Sequence, residues 1–235
     1  MENSLEEIKK EIQIAILNEE ILDGLEIGEM DLSFSDFSYL KADRIMAVKT
    51  NFRASNLNGI SIRDCDWQQS NLEQVSLEEA DIADCFFNEA NFIKANLCRA
   101  QIKISSCIKG CFDEVDFTEG NLTGTSFTLS TFKRANLTSV QADEAVFDET
   151  DLTEAILIEG DFSNSDFIQA NLSKVVAING NFSGANLSEA NLSSGNFTDA
   201  NFEGANLKNV QWKGAVIENA TFDAGVKKDV EKLLL

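Results

Sequence analysis

Histidine and proline are absent from the 235 residues, tyrosine occurs once, and basic residues number 19 against 40 acidic ones. Without histidine, no triad, dyad or metal site can be built on an imidazole. The five cysteines form no CxxC pair. A formal charge of −21 argues against nucleic acid or an anionic membrane surface as a direct ligand. No apolar run is long enough to span a bilayer. The acidic start and broken apolar pattern are wrong for a signal peptide, so the expected setting is the cytoplasm, with reduced thiols. Yet a hydrophobic content of 43% is too high for a disordered acidic chain.

What is there is a repeat. The stretch Asn181 to Leu207 reads NFSGANLSEANLSSGNFTDANFEGANL. A large apolar residue falls on every fifth position: Phe182, Leu187, Leu192, Phe197, Phe202 and Leu207. Two residues before each sits Gly or Ala, with an Asn between. Five residues turn a helix by roughly 500°, so this stripe would spiral around every face of a helix. The local in-out-in order is strand-like, and the next two small or polar residues suit a corner. One unit cannot bury its own apolar residue, whereas stacked coils can.

The register runs unbroken from Leu22 to Phe222. Of its forty-one central positions, thirty-six hold Leu, Ile, Phe or Trp, and fifteen of the seventeen Phe lie on it. Four exceptions, Ala42, Ala47, Ala142 and Ala177, are each preceded two residues earlier by Leu40, Ile45, Val140 or Val175. A small central residue is thus matched by a larger inward neighbour, as a packed interior requires. The fifth, Cys107, has only Ser105 beside it, and a slight local void is expected there. No loop interrupts the register to carry a grafted active site.

This register resembles the pentapeptide-repeat family, whose consensus is Ala-(Asp/Asn)-Leu-X-X. The resemblance implies an all-β solenoid, a right-handed quadrilateral β-helix with four units per coil. Forty-one units would then make about ten coils, a tube about 48 Å long at roughly 4.8 Å per coil. Residues twenty apart would stack, placing Asn181 over Asn201 and Asn186 over Asn206 in hydrogen-bonded ladders.

Both ends break the period. Residues 1–23 read as an N-terminal capping helix, about Leu5 to Leu22, with Ser4 and Glu7 as a capping box. Residues 24–222 are the β-helix. Residues 223–235 read as a short C-terminal helix, with Val226, Val230, Leu233 and Leu234 at helical spacing. That element is a cap or, as in some members of the family, a dimer contact.

No cofactor and no catalytic residue is expected. The surface carboxylates lie on convex faces, whereas catalytic pairs need a cleft. Cys65 and Cys85 would stack at a separation compatible with a disulfide, or serve as small reduced core residues. Cys98 and Cys111 point outward, with Arg99 as the suggestive neighbour of a reactive thiol.

Two surfaces remain, and both point to a protein partner. Ile156, Ile158, Val176 and Ile178 occupy outward positions on one face, with Val216 farther along it. A contiguous apolar patch marks a binding surface, a homodimer being its economical version, unless the ladders merely stiffen the coil. Between Arg134 and Lys174 there is no basic residue, and Asp143, Glu144, Asp148, Glu149, Asp151, Glu154, Glu159, Asp161 and Asp166 form an acidic girdle. Quinolone-resistance members of the family are acidic rods that occupy the DNA site of gyrase. Residues beyond Asp23 carry a net −16, over half the roughly 28 charges on about 48 Å of B-DNA. Those members often bear projecting loops, which this chain lacks. The two readings are a protein-binding scaffold and an acidic DNA mimic directed at gyrase.

Overall fold

The computed structural model describes residues 4–235; Met1 to Asn3 of the expected N-terminal cap lie outside the described residues. Helix α1 (Leu5–Asn18) opens on the expected capping box: the Ser4 side chain accepts from the Glu7 amide, and the Glu7 carboxylate accepts from the Ser4 amide. It ends four residues before Leu22, because Glu19 turns into the left-handed region at φ 56°. Leu22 is the first central position of the repeat and goes instead to strand β1 (Ile21–Asp23). Ile8, Ile12 and Ala15 are buried.

Strands β1, β2 (Lys41–Asp43), β3 (Ser61–Arg63), β4 (Asp81–Ala83) and β5 (Gln101–Lys103) form one parallel sheet in chain order. Each strand pairs with the next at an offset of twenty residues, Ile62 facing Ile82 for example. Single bridges at Glu26–Met46, Asp31–Asn51 and Asp36–Asn56 mark three further walls. Five residues separate one wall from the next, so four units close a coil. Regular strand builds only four turns, which differs from the uniform stack of about ten coils expected. Past Lys103 the twenty-residue ladder continues as single-residue bridges, Gln101 to Asn121 and onward to Asn201–Thr221.

The difference lies at one corner. In most units the amide of the fifth residue donates to the carbonyl three residues back, as Thr50 does to Ala47 at 3.2 Å. Such a turn leaves a single residue extended. After β2 to β5 the corresponding amides of Ile45, Cys65, Cys85 and Ser105 find acceptors in the coil above instead: Cys65 Sγ, Cys85 Sγ, Ser105 Oγ and Thr125 Oγ1. The corner stays open and three residues remain extended. From Thr125, which donates to Leu122 at 3.1 Å, the turn closes.

The core is a file of side chains along the tube axis. Leu40, Ala42, Ile45, Ala47, Val140, Ala142, Val175 and Ala177 are all buried, as the size compensation requires. Phe112 stacks on Phe132 with ring centroids 4.8 Å apart, and Phe147 on Phe167 at 4.9 Å. Cys107 is fully buried. At the far end helix α2 (Val226–Glu231) buries Val230, and the Gly214 amide donates to the Leu234 carbonyl at 2.7 Å. Of the residues at helical spacing, Leu233 falls outside the helix: α2 stops at Glu231, and Leu233 is 55% exposed.

Candidate functional site

The surface is written by the corners. The fourth residue of nearly every unit is left-handed, with φ from 51° to 64° in the non-glycine cases. This bend turns the chain from one wall to the next and throws the side chain outward. About a quarter of these residues are Gly or Asn; Glu is the commonest of the others, and each of those bears a left-handed backbone at some cost.

Glu144, Glu149, Glu154 and Glu159 occupy four successive corners and are exposed, so they ring one coil. Only Glu154 is ion-paired among the described residues, to Lys174 at 3.1 Å. The other members of the expected girdle are largely engaged. Asp151 meets Lys133 at 3.2 Å and accepts from Thr153. Desolvation pushes its carboxyl up, but the Thr153 and Lys133 contacts win and hold it below its ordinary value. Asp143 accepts from Thr123 at 2.8 Å, Asp161 from Asn181 at 2.8 Å, and Asp148 from the Ile168 amide at 2.9 Å. Asp166 is half-buried on its wall.

The asparagine ladders are occupied too. Asn181 Oδ1 accepts from the Ser183 amide and from Asn201 Nδ2, at 3.2 and 3.3 Å. Such side chains tie their own turn and the neighbouring coil, leaving little to offer a ligand.

Ile156 bridges directly to Val176, and Val216 lies on the same wall beyond Asn196. The Ile158 carbonyl accepts from Ser139 and that of Ile178 from Glu159, so these two stack one coil apart. Ile156 and Val216 are exposed, at 37% and 46%, while Ile158, Val176 and Ile178 are half-buried.

Sequence reasoning missed a second apolar feature. Phe86 is 50% exposed and Ile104 is 70% exposed. They line a depression of about 320 Å³ with Asp64, Asp84, Ser105 and Gly124. Ile104 has φ 51° and is the one β-branched residue held left-handed among the described residues, a conformation such side chains strongly disfavour. A signal was present: Phe34 and Phe86 are the two phenylalanines off the register. Phe34 lies under the Arg53 guanidinium, 6.0 Å from the ring centre.

All five cysteines are free. Cys65 and Cys85 each accept a backbone amide from the coil below and donate to a carbonyl of their own coil, Arg63 and Ala83, both at 3.1 Å. The adjoining Cys65 thiol and burial push the Cys85 thiol well above its ordinary value. Desolvation also raises the Cys98 thiol, outweighing Arg99, which is held by Glu78 and Glu79. Arg99 also donates to Cys98 Sγ at 3.4 Å, but its pull on the thiol is the smaller effect. No helix among the described residues is long and apolar enough to cross a membrane.

The sequence profile for pentapeptide repeats matches eight copies, over residues 55–92, 70–103, 111–147, 145–177, 170–209 and 196–223. No curated protein matches the chain. Among solved structures, HetL, a pentapeptide repeat protein involved in heterocyst differentiation regulation in the cyanobacterium Nostoc sp. strain PCC 7120, is 22% identical. The alignment covers 94% of this chain and 99% of HetL, with a TM-score of 0.45. A trypsin-treated form of QnrB1, a plasmid-mediated fluoroquinolone resistance protein, is 15% identical, covering 89% of this chain and 96% of QnrB1 at a TM-score of 0.50. At such identities the likeness is one of fold. With an unbroken five-residue register, a four-walled parallel ladder and a profile match over more than half its length, the chain belongs to the pentapeptide-repeat family.

Proposed function

We propose that the chain is a non-catalytic, cytoplasmic scaffold that binds another protein through its outer surface. The observation that carries this reading is Ile104: a β-branched, exposed residue held in a left-handed corner, beside an exposed off-register Phe86. Strain and apolar exposure both lower the stability of the free chain, and a partner that covers the pair offsets them. Burying each side chain contributes about 1.5–3 kcal/mol before association costs. Asp64 and Asp84 beside the depression favour a partner whose apolar side chain is flanked by basic ones.

The test is affinity capture from the native host's lysate with wild type, Ile104→Asn and Phe86→Ser. Ile104→Asn should raise thermal stability, by up to about 1 kcal/mol, because Asn tolerates the left-handed corner. It should also lose the captured protein. Unchanged capture by both variants would move the docking surface elsewhere, first to Ile156, Ile158, Val176, Ile178 and Val216. For that wall the corresponding test is Ile158→Lys with Ile178→Lys. If the wall pairs two copies, the wild type is a dimer by light scattering and the double variant a folded monomer.

The second reading is an acidic DNA mimic directed at gyrase. It is favoured by the ring of corner glutamates, three of which have no ion-pair partner among the described residues. It shares the fluoroquinolone-resistance theme of QnrB1. Purified protein should then inhibit or protect gyrase at micromolar levels, less so as salt rises. Converting Asp148, Glu149, Asp151 and Glu154 to amides should weaken the effect. Supercoiling that is unaltered across that range removes gyrase as the target.

A further inference from the structure

The two ends of the tube differ in charge and both carry apolar side chains that the fold leaves uncovered. At the first end, α1 turns Ile8, Ile12 and Ala15 inward and leaves Ile14 and Leu17 46% and 80% exposed. Beside them, between α1 and β1, runs a groove of about 370 Å³ floored by Ile14, Ala15 and Leu22 and rimmed by Glu7, Glu11 and Glu20, with Lys10 as its one basic residue. Residues 4–31 hold nine carboxylates and two lysines. At the other end, Leu233 is 55% exposed just past α2. Residues 205–235 hold five lysines against four side-chain carboxylates, in a chain whose acids outnumber its bases about two to one overall. Lys208, Lys213 and Lys228 are exposed there and join no ion pair among the described residues.

We infer that the acidic apolar groove of α1 receives the lysine-bearing, Leu233-exposing end of a second copy, so that the tubes associate head to tail. Charge selects this pairing. Two α1 grooves facing each other would oppose glutamate to glutamate, whereas the groove and the lysine end are complementary. The joint lies between helices and does not extend the β-ladder, because Gln13 of α1 already donates to the Asp36 carbonyl on the first coil, at 2.6 Å. A contact between unlike patches leaves one of each free, so association continues into a linear series instead of stopping at a pair.

The test is sedimentation equilibrium of the full chain, with circular dichroism as the folding control. The wild-type mass should rise with concentration past about twice the monomer by about 100 µM, and fall back as salt screens the lysines. Ile14→Glu puts a charge on the groove floor and Leu233→Glu on the opposite face, and each alone should be monomeric. Mixed in equal amounts they should form a heterodimer and nothing larger, since one keeps a working tail and the other a working groove. Should Ile14→Glu lose α1, Ile14→Gln replaces it. A wild type that stays monomeric throughout overturns the inference. So does Leu233→Glu that associates as the wild type does, which would mean a symmetric contact or one elsewhere, and so does a mixture that stays monomeric.

Discussion

Residues 21–105 and residues 121–222 obey the same five-residue period but turn one corner differently. In the first region three-residue strands run into open corners, and the amides of Ile45, Cys65, Cys85 and Ser105 are satisfied by side chains of the coil above. In the second, each such amide turns back to a carbonyl of its own unit, Ala145 to Ala142 and Ala185 to Phe182. The core differs in step. Ile62, Ile82 and Ile102 lie behind the open corners, and Phe162, Phe182 and Phe202 behind the closed ones, with stacked rings at 5.3 Å. β-Branched residues favour the longer extended segment. The period thus sets which residues face inward, while the side chain one coil on supports the open turn without alone deciding it, since Ser165 lies above Ala145 and that corner is closed. A thiol or hydroxyl there can hold an amide of the neighbouring coil; an alanine cannot.

The largest effect should come from breaking the second region's core. Phe167 is fully buried, stacked on Phe147 and edge-on to Phe162 and Phe182. Phe167→Asp should cost at least about 4–5 kcal/mol, from lost burial and an unpaired charge. Asn186→Ser, on an outer ladder of the same region, should cost about 1 kcal/mol. Each coil contacts chiefly its neighbours, so hydrogen exchange should show amides near Phe167 losing protection well before those of residues 45–105. Equal thermal shifts for the two substitutions, or uniform loss of protection, would contradict this division.

An intermediate effect should come from the open corner. Cys85 supplies the acceptor for the buried Cys65 amide, at 3.4 Å. Cys85→Ala leaves that amide unsatisfied and should cost about 1–3 kcal/mol. Cys85→Ser should stay within about 1 kcal/mol of wild type, because Ser105 already performs this task one coil on. Urea unfolding of the three proteins settles it: similar losses for Ala and Ser would mean the thiol matters only as volume.

The depth to which the chain was legible follows from the range of each interaction. The register, the inward set, the alanine compensation and the Asn ladders depend on residues five or twenty apart in an unbroken period, so they can be read directly. The end of α1 was misplaced because Leu22 fits both a helical stripe and the first repeat unit, and the wall won it. The open corners were hidden because their hydrogen bonds join a main-chain amide to a side chain twenty residues on, at positions that read as small core residues. Phe86 and Ile104 were legible in principle as departures from the register. Searching for apolar stacks favours Ile156 and Val176 instead, which partly cover each other.

The smallest effect concerns an outward counterpart of the Cys85 contact. In the second region Asp148 accepts the Ile168 amide of the next coil, at 2.9 Å, as Asn88 does for Ile108 in the first. An Asn does this without a charge, whereas desolvation and then the nearby Asp166 and Glu149 push the Asp148 carboxyl above its ordinary 3.8, against the pull of the Ile168 bond. The folded chain therefore holds this proton more tightly than the unfolded chain does. Between 3.8 and the raised folded-state value the folded state binds more protons, so this group's contribution to stability falls as pH rises through that window. Above the window the ionised carboxylate is a standing cost, below it there is none. Asp148→Asn keeps the acceptor and removes the titration. After allowance for solvent screening it should raise stability at pH 7 by less than about 0.5 kcal/mol. The gain should shrink towards zero as pH falls below 3.8. Thermal unfolding of both proteins across that range checks the sign: a variant less stable at neutral pH, or a gain that grows on acidification, would mean that the charge itself strengthens the Ile168 bond by more than its desolvation costs.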